Sequence, residues 1–246
     1  MGAKKIKCAG CSNRGGRECN EDACWARGNE KILCAVVADG LGGHGKGDVA
    51  SRAVVKAVQE RLTAEKGKLE SDTSFIEIAR LANTNVLKMQ TGECEMKSTM
   101  VLLYIDTDKM SGRWMHIGDS RLYHFEDGKI VFCTFDHSVP RMLAYQKEIS
   151  MNDIRFHKDR NKVLKVVGTE PMCQPETGNC VLENDKRHVF LLCTDGFWEY
   201  VTEKTMEETL AEVDSPKQWI GKMLSCLKTV APENNDNYSA IAVWIE

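Results

Sequence analysis

Little in this chain would take it outside the ordinary globular class. No apolar stretch in its 246 residues approaches the roughly 20 that a membrane-spanning helix needs. The opening Met1–Lys7 lacks the apolar segment of a secretion signal, so the expectation is a cytoplasmic protein with no membrane role. Positive charge is not in excess. Lysine and arginine number 33 against 36 acidic residues, a net charge of -3, and the basic residues are dispersed apart from Lys4-Lys5, which leaves no electrostatic footprint for nucleic acid. Repeats, low-complexity tracts and Pro- or Gly-rich linkers are all missing, so residues 1–246 read as one domain with one sizeable core. Cysteine, by contrast, is abundant. Eleven is an odd count and fits reduced thiols better than a disulfide framework. The Cys8-x-x-Cys11 pair has neither a second such pair nor a nearby histidine to complete a zinc site.

Two apolar runs each end in Asp-Gly: Leu33 to Ala38 before Asp39-Gly40, and Val189 to Thr194 before Asp195-Gly196. Runs of that length bounded by glycine predict buried strands. A carboxylate at the end of a buried strand is poorly solvated and needs a cation or a set of donors. Further acidic residues stand at comparable joints, in Asn20-Glu21-Asp22, Gly118-Asp119-Ser120 and Asp236-Asn237. Any one Asp-Gly also suits a plain turn. Five together point to hard oxygen ligands for magnesium or manganese.

Helical spacing of Val49, Ala53, Val54, Ala57, Val58 and Leu62 predicts an amphipathic helix, and Phe75, Ile78, Ala79, Ala82 and Val86 predict a second from Thr73 to Gln90. Four strands follow, Met100–Ile105, Arg113–Ile117, Arg121–Phe125 and Lys129–Cys133, expected as an antiparallel meander. Residues 138–169 are polar and read as a mobile excursion. Helices at Glu203–Val213 and Pro216–Val230 precede a last strand, Tyr238–Ile245. Runs of strands with paired helices favour an α+β sandwich over a doubly wound sheet.

In order along the chain, Arg17-x-x-Asn20-Glu21-Asp22, Asp39-Gly40-Leu41-Gly42-Gly43-His44, Ser98-Thr99, Gly118-Asp119-Ser120-Arg121, Asp136-His137-Ser138, Asp195-Gly196-Phe197-Trp198 and Asp236-Asn237 resemble the signature of the metal-dependent type 2C protein serine/threonine phosphatases, in their compact bacterial form. Lys97 departs from the glycine usual before Ser98-Thr99. The resemblance implies a four-layer αββα sandwich with two central antiparallel sheets, a flap at about 138–169, and two Mn2+ or Mg2+ ions with a weaker third. Asp39 would bridge two metals; Asp195 and Asp236 would complete one, and Asp22, Glu21 through water and the Gly40 carbonyl the other, with Asp119 serving the third. Arg17 would clamp phosphate and His44 would protonate the leaving oxygen, while a metal-bridging hydroxide attacks phosphorus. Substrates would be phosphoproteins, with a cognate serine/threonine kinase as partner and a monomer as the working state.

Competing readings use other residues. Cys11 and Arg17 have the C-x-x-x-x-x-R spacing of cysteine-dependent phosphatases, but no helical period follows. Gly40 to Lys46 imitates a phosphate-binding loop, yet Gly47 stands where a Ser or Thr would meet magnesium. A catalytically inactive binding module of the same fold is the third; the complete set of carboxylates argues against it.

Overall fold

The structure, a computed structural model, describes residues 4–42, 46–69, 71–92 and 94–246. Its centre is two five-stranded sheets, every neighbouring pair antiparallel. One runs in the order β10 (Glu176–Val181), β7 (Ser111–Ile117), β6 (Met100–Asp106), β3 (Ile32–Ala38), β2 (Ala23–Gly28). The other runs β1 (Ile6–Asn13), β12 (Tyr238–Ile245), β11 (His188–Cys193), β8 (Arg121–Glu126), β9 (Lys129–Cys133). A short pair, β4 (Gly40–Gly42) with β5 (Met96–Ser98), stands beside them.

The unbroken apolar character of β3 follows from burial on both faces. Leu33, Ala35 and Val37 turn inward with Val101 and Leu103 to meet Leu122, Leu192, Ile241 and Val243 of the second sheet. Cys34, Val36 and Ala38 turn outward beneath α1 (Gly47–Ala64) and α2 (Asp72–Met89), which press Val54, Val58, Phe75, Ile78 and Val86 onto them. The second sheet does the same with Tyr123, Leu191, Ala242 and Trp244, covered by α4 (Asp195–Trp198), α5 (Glu203–Ala211) and α6 (Pro216–Val230) through Phe197, Met206, Trp219, Met223 and Leu227. Each such large side chain contributes roughly 1.5–3 kcal/mol by leaving water. Helix, sheet, sheet, helix is the expected four-layer sandwich.

Two expectations need correction. The four middle strands are not one meander: β6 and β7 pair in the first sheet, β8 and β9 in the second. The chain changes sheet at Gly118-Asp119-Ser120, where Gly118 adopts φ +113° and its hydrogen side lies against Thr99, leaving no room for a Cβ. Residues 138–169 are also less of a free excursion than their polarity suggests. They form α3 (Val139–Tyr145) and a 3-10 turn (Met151–Phe156), and Ile154 is buried. Arg155 pairs with Glu203 and Arg160 with Glu199, both at 2.7 Å, and Asn83 accepts the Gly168 N–H at 2.7 Å.

Candidate active site

Strand register places the acidic joints together. Ala23 pairs with Ala38, Val37 with Val101 and Met100 with Ile117, so Asp22, Asp39 and Asp119 leave the first sheet at one end. Cys193 pairs with both Arg121 and Ala240, which brings Asp195 and Asp236 to the corresponding end of the second. Asp119 is the link between the two sheets. The resulting cleft, about 410 Å³, is lined by Arg17, Glu21, Asp39, Gly40, Asp119, Asp195 and Asp236, with Asn161 and Val163 reaching in from the 138–169 segment.

Glycine allows the close crossings that build it. A Cβ on Gly196 would lie 2.1 Å from the Asn237 carbonyl oxygen, and one on Gly40 2.0 Å from that of Gly47. The first contact draws Asp195 and Asp236 together. The second lays the Asp39-Gly40 turn against the first turn of α1. Asn237 then ties in the loop that carries Arg17: its amide donates to the Arg14 and Cys19 carbonyls at 2.8 and 2.9 Å, and its Oδ1 accepts the Glu21 N–H at 2.8 Å. The backbone of Asp39 is held from below, its N–H donating to Thr99 Oγ1 at 2.9 Å and its carbonyl accepting from Ser98 Oγ at 2.8 Å. Thr99 Oγ1 in turn meets Ser120 Oγ at 2.7 Å. That is the physical content of the Ser98-Thr99 motif.

Five carboxylates around one cleft repel. Burial raises the pKa of Asp39 and of Asp195 well above the usual carboxylate range; the Asp195 charge adds to the shift of Asp39, and the Asp119 and Asp236 charges add to that of Asp195. Asp119 is only 3% exposed and is pushed up to about 7, first by burial and then by Asp136, with Arg121 opposing. Asp22 is likewise pushed up to about 7 by burial, against hydrogen bonds from Ser239 and Thr194. Asp22 and Asp119 each leave one carboxylate oxygen without a partner. Crowded, under-neutralised hard oxygens fit a divalent cation of the Mg2+ or Mn2+ kind.

The expected residues do not all stand alike. Glu21 faces the cleft, its Oε1 accepting the Gly47 N–H at 3.0 Å. Asp22, its neighbour, turns behind the cleft and accepts from Thr194 Oγ1 at 3.0 Å. Arg17 pairs with Asp236 Oδ2 at 2.9 Å while remaining half exposed. His44 lies outside the described residues. Sequence reasoning missed Asn237 and Thr194 as supports, and also Trp198, whose indole N–H donates to the Asp119 carbonyl at 2.9 Å. Arg121, joined bidentately to Asp136 at 2.7 and 2.8 Å, lies 3.4 Å over the Trp198 ring. None of these carries a local signal, because each acts across more than ten residues of chain.

The cysteine alternative fails on geometry. Cys11 lies within β1, paired to Ala240, and burial pushes its thiol up to about 12, the opposite of an activated thiolate. No helix follows Arg17; the next element is β2.

Comparison with known proteins gives the family. A family model described as protein phosphatase 2C matches residues 9–235. The serine/threonine phosphatase stp of Listeria monocytogenes serotype 4b (strain F2365) is 30% identical over 192 residues, covering 74% of this chain and 72% of that protein. Serine/threonine protein phosphatase PstP of Mycobacterium tuberculosis is 26% identical over 208 residues, 83% of this chain and 39% of that protein. Among solved structures, serine/threonine phosphatase Stp1 from Staphylococcus aureus superposes with a TM-score of 0.84 at 25% identity over 98% of this chain and 95% of that one. The catalytic domain of PstP, solved in complex with 2 manganese ions, gives 0.80 at 22% identity, over 98% and 99%. The chain belongs to the protein phosphatase 2C family, and it is an enzyme.

Proposed function

We propose that the enzyme removes phosphate from phosphoserine and phosphothreonine in proteins, with Asp39, Asp195, Asp236 and the Gly40 carbonyl holding a pair of Mn2+ or Mg2+ ions and Asp119 a weaker third. One observation carries this reading: carboxylates from both sheets, mutually raised and partly unpartnered, face a single cleft. When bound, the ions supply a water acidified to a nucleophile at neutral pH and positive charge for the phosphoryl oxygens. The remaining chemistry belongs to the chain. Glu21 lines the cleft beside Gly40 and is positioned to hold a cation's water shell. Asp22, expected as a ligand of the second ion, is corrected to a support behind that shell, because its carboxylate accepts from Thr194 and does not line the cleft. Arg17 exchanges its Asp236 partner for the phosphate oxygens, which its fork of donors matches. His44 gives a proton to the departing seryl or threonyl oxygen.

The working unit spans 1–246, supported by the shared core between the sheets, and 138–169 acts as its flap over the cleft. Among the described residues no helix is long and apolar enough to cross a membrane, in keeping with a cytoplasmic enzyme. A cognate serine/threonine kinase and a monomeric state complete the proposal. The test is phosphate release from a phosphothreonine peptide with Mn2+, with Mg2+ and in chelator. Turnover that survives chelator would refute it.

A further inference from the structure

His137 has no place in the chemistry above, yet it closes a ring with the turn that aims Asp119. Its Nδ1 accepts the Gly118 N–H at 3.1 Å, and its own backbone N–H donates to the Gly118 carbonyl at 2.7 Å. Gly118 is the residue at φ +113°, which glycine enters without strain but which its own freedom does not hold in one orientation, so the bonds to its two peptides set it. The other side of Asp119 is held by the Trp198 indole N–H on its carbonyl, with Trp198 fixed beneath Arg121 and Arg121 forked to Asp136, the residue before His137. Asp119 is thus gripped from both flanks by groups that trace to Asp136-His137.

The same residue meets the flap. Its carbonyl accepts the Leu164 N–H at 2.6 Å, and Ser138 bridges to Val163, a residue that lines the cleft. The imidazole is half of a stacked pair with His116, ring centres 4.6 Å apart, and its Nε2 faces Glu176 Oε2 at 3.6 Å. Two histidines and a glutamate suggest a metal site, but the geometry opposes it. With Nδ1 accepting from Gly118, the proton of the neutral ring sits on Nε2, which is then not a free ligand. The arrangement instead fixes the tautomer: Nε2–H toward Glu176, Nδ1 lone pair toward Gly118. Burial and the neighbouring His116 keep the ring neutral, its pKa lowered to about 4.

We propose that His137 is a positioning residue that sets the direction of the Asp119 carboxylate through the Gly118 peptide and couples that direction to the base of the flap. It acts by accepting one hydrogen bond, so an isosteric acceptor should replace it. The proposal rests on Asp119 being a metal ligand for its effect on turnover, though not for its effect on Gly118.

The experiment compares His137→Asn, whose Oδ1 occupies the place of Nδ1, with His137→Leu, which fills similar space without an acceptor. Mn2+ activation curves on p-nitrophenyl phosphate should show His137→Asn within about threefold of the parent, and His137→Leu needing about tenfold more Mn2+ for half-activation, the scale typical of support lost behind a metal ligand. Amide hydrogen exchange of Gly118, measured by NMR in chelator, should be protected in the parent and His137→Asn and released in His137→Leu. If His137→Leu does not fold by circular dichroism, His137→Ala takes its place. Gly118 equally protected in the Asn and apolar variants, or equal Mn2+ curves for them where Asp119→Ala does shift the curve, would overturn the proposal. An unchanged Mn2+ curve with Gly118 exchange released, alongside an unaffected Asp119→Ala, would instead overturn the ligand role of Asp119 and leave the positioning contact standing.

Discussion

Removing a carboxylate from the cleft should stabilise the metal-free fold while it disables the enzyme. Asp119 is the sharpest case, since it is almost fully buried and one of its oxygens has no partner. Its pKa is pushed up to about 7 by burial and by Asp136, against about 3.9 for an aspartate in water. Between those limits the folded chain keeps a proton that the unfolded chain has released, so stability falls as pH rises from about 4 to 7. Over about three pH units at about 1.4 kcal/mol each, the cost reaches about 4 kcal/mol at and above pH 7. An asparagine keeps the shape and some of the desolvation penalty, so about half of this is recoverable, about 2 kcal/mol. For a chain of this size that raises Tm by about 5 °C. At pH 5 only about one pH unit of the cost has accrued, and the gain should shrink to well under half. The assay is thermal unfolding of the parent and Asp119→Asn in chelator at pH 5 and pH 7.5, followed by circular dichroism. A lower Tm for Asp119→Asn at pH 7.5, or a gain undiminished at pH 5, would refute the reasoning.

Gly196→Ala forces a methyl to within 2.1 Å of the Asn237 carbonyl oxygen, so it should separate Asp195 from Asp236 and lower kcat/KM at least tenfold; the phosphopeptide assay measures it, and unchanged activity would mean the crossing is unimportant. Arg17→Ala, which removes an exposed ion pair, should leave Tm within about 1 kcal/mol equivalent of the parent yet raise KM for phosphopeptide, as steady-state kinetics would show. His44→Ala should depress hydrolysis of phosphothreonine peptide about 100-fold or more while sparing much of the p-nitrophenyl phosphate activity, because p-nitrophenolate leaves without a proton; equal losses would defeat the acid role. Arg155→Ala breaks the pair with Glu203 and should speed hydrogen exchange over 151–163 ahead of the sheets, as mass spectrometry would report.

Where packing speaks through periodicity, the chain was readable. The strands at 129–133 and 238–245 and the helix at 216–230 coincide with expectation to the residue: the last strand is apolar because it is buried throughout, the helix repeats its apolar residues along one buried face, and the edge strand is bounded by the Asp127-Gly128 turn. β1 and β10 escaped notice for the opposite reason. β1 is half exposed and pairs only with β12, while β10 reads Glu-Thr-Gly-Asn-Cys-Val and is a strand because β7 lies beside it. The change of sheet at Gly118 was hidden because the chain is directed across by the glycine's backbone conformation, its contact with Thr99 and its hydrogen bonds to His137, none of which shows in a strand pattern. The carboxylates of the site announced themselves as charges at the ends of apolar runs. Their supports did not, since an asparagine such as Asn237 has meaning only once residues 14–21 are folded over it.

The central claim is that the carboxylates of two sheets form one metal centre, with Asp39 at its middle. Phosphate release from a phosphothreonine peptide, measured against Mn2+ concentration for the parent and a folded Asp39→Asn, tests it most directly. The parent should be silent in chelator, rise with Mn2+ and be indifferent to thiol alkylation, and Asp39→Asn should stay silent at every concentration. Turnover by Asp39→Asn comparable to the parent, or by the parent in excess chelator, would contradict it.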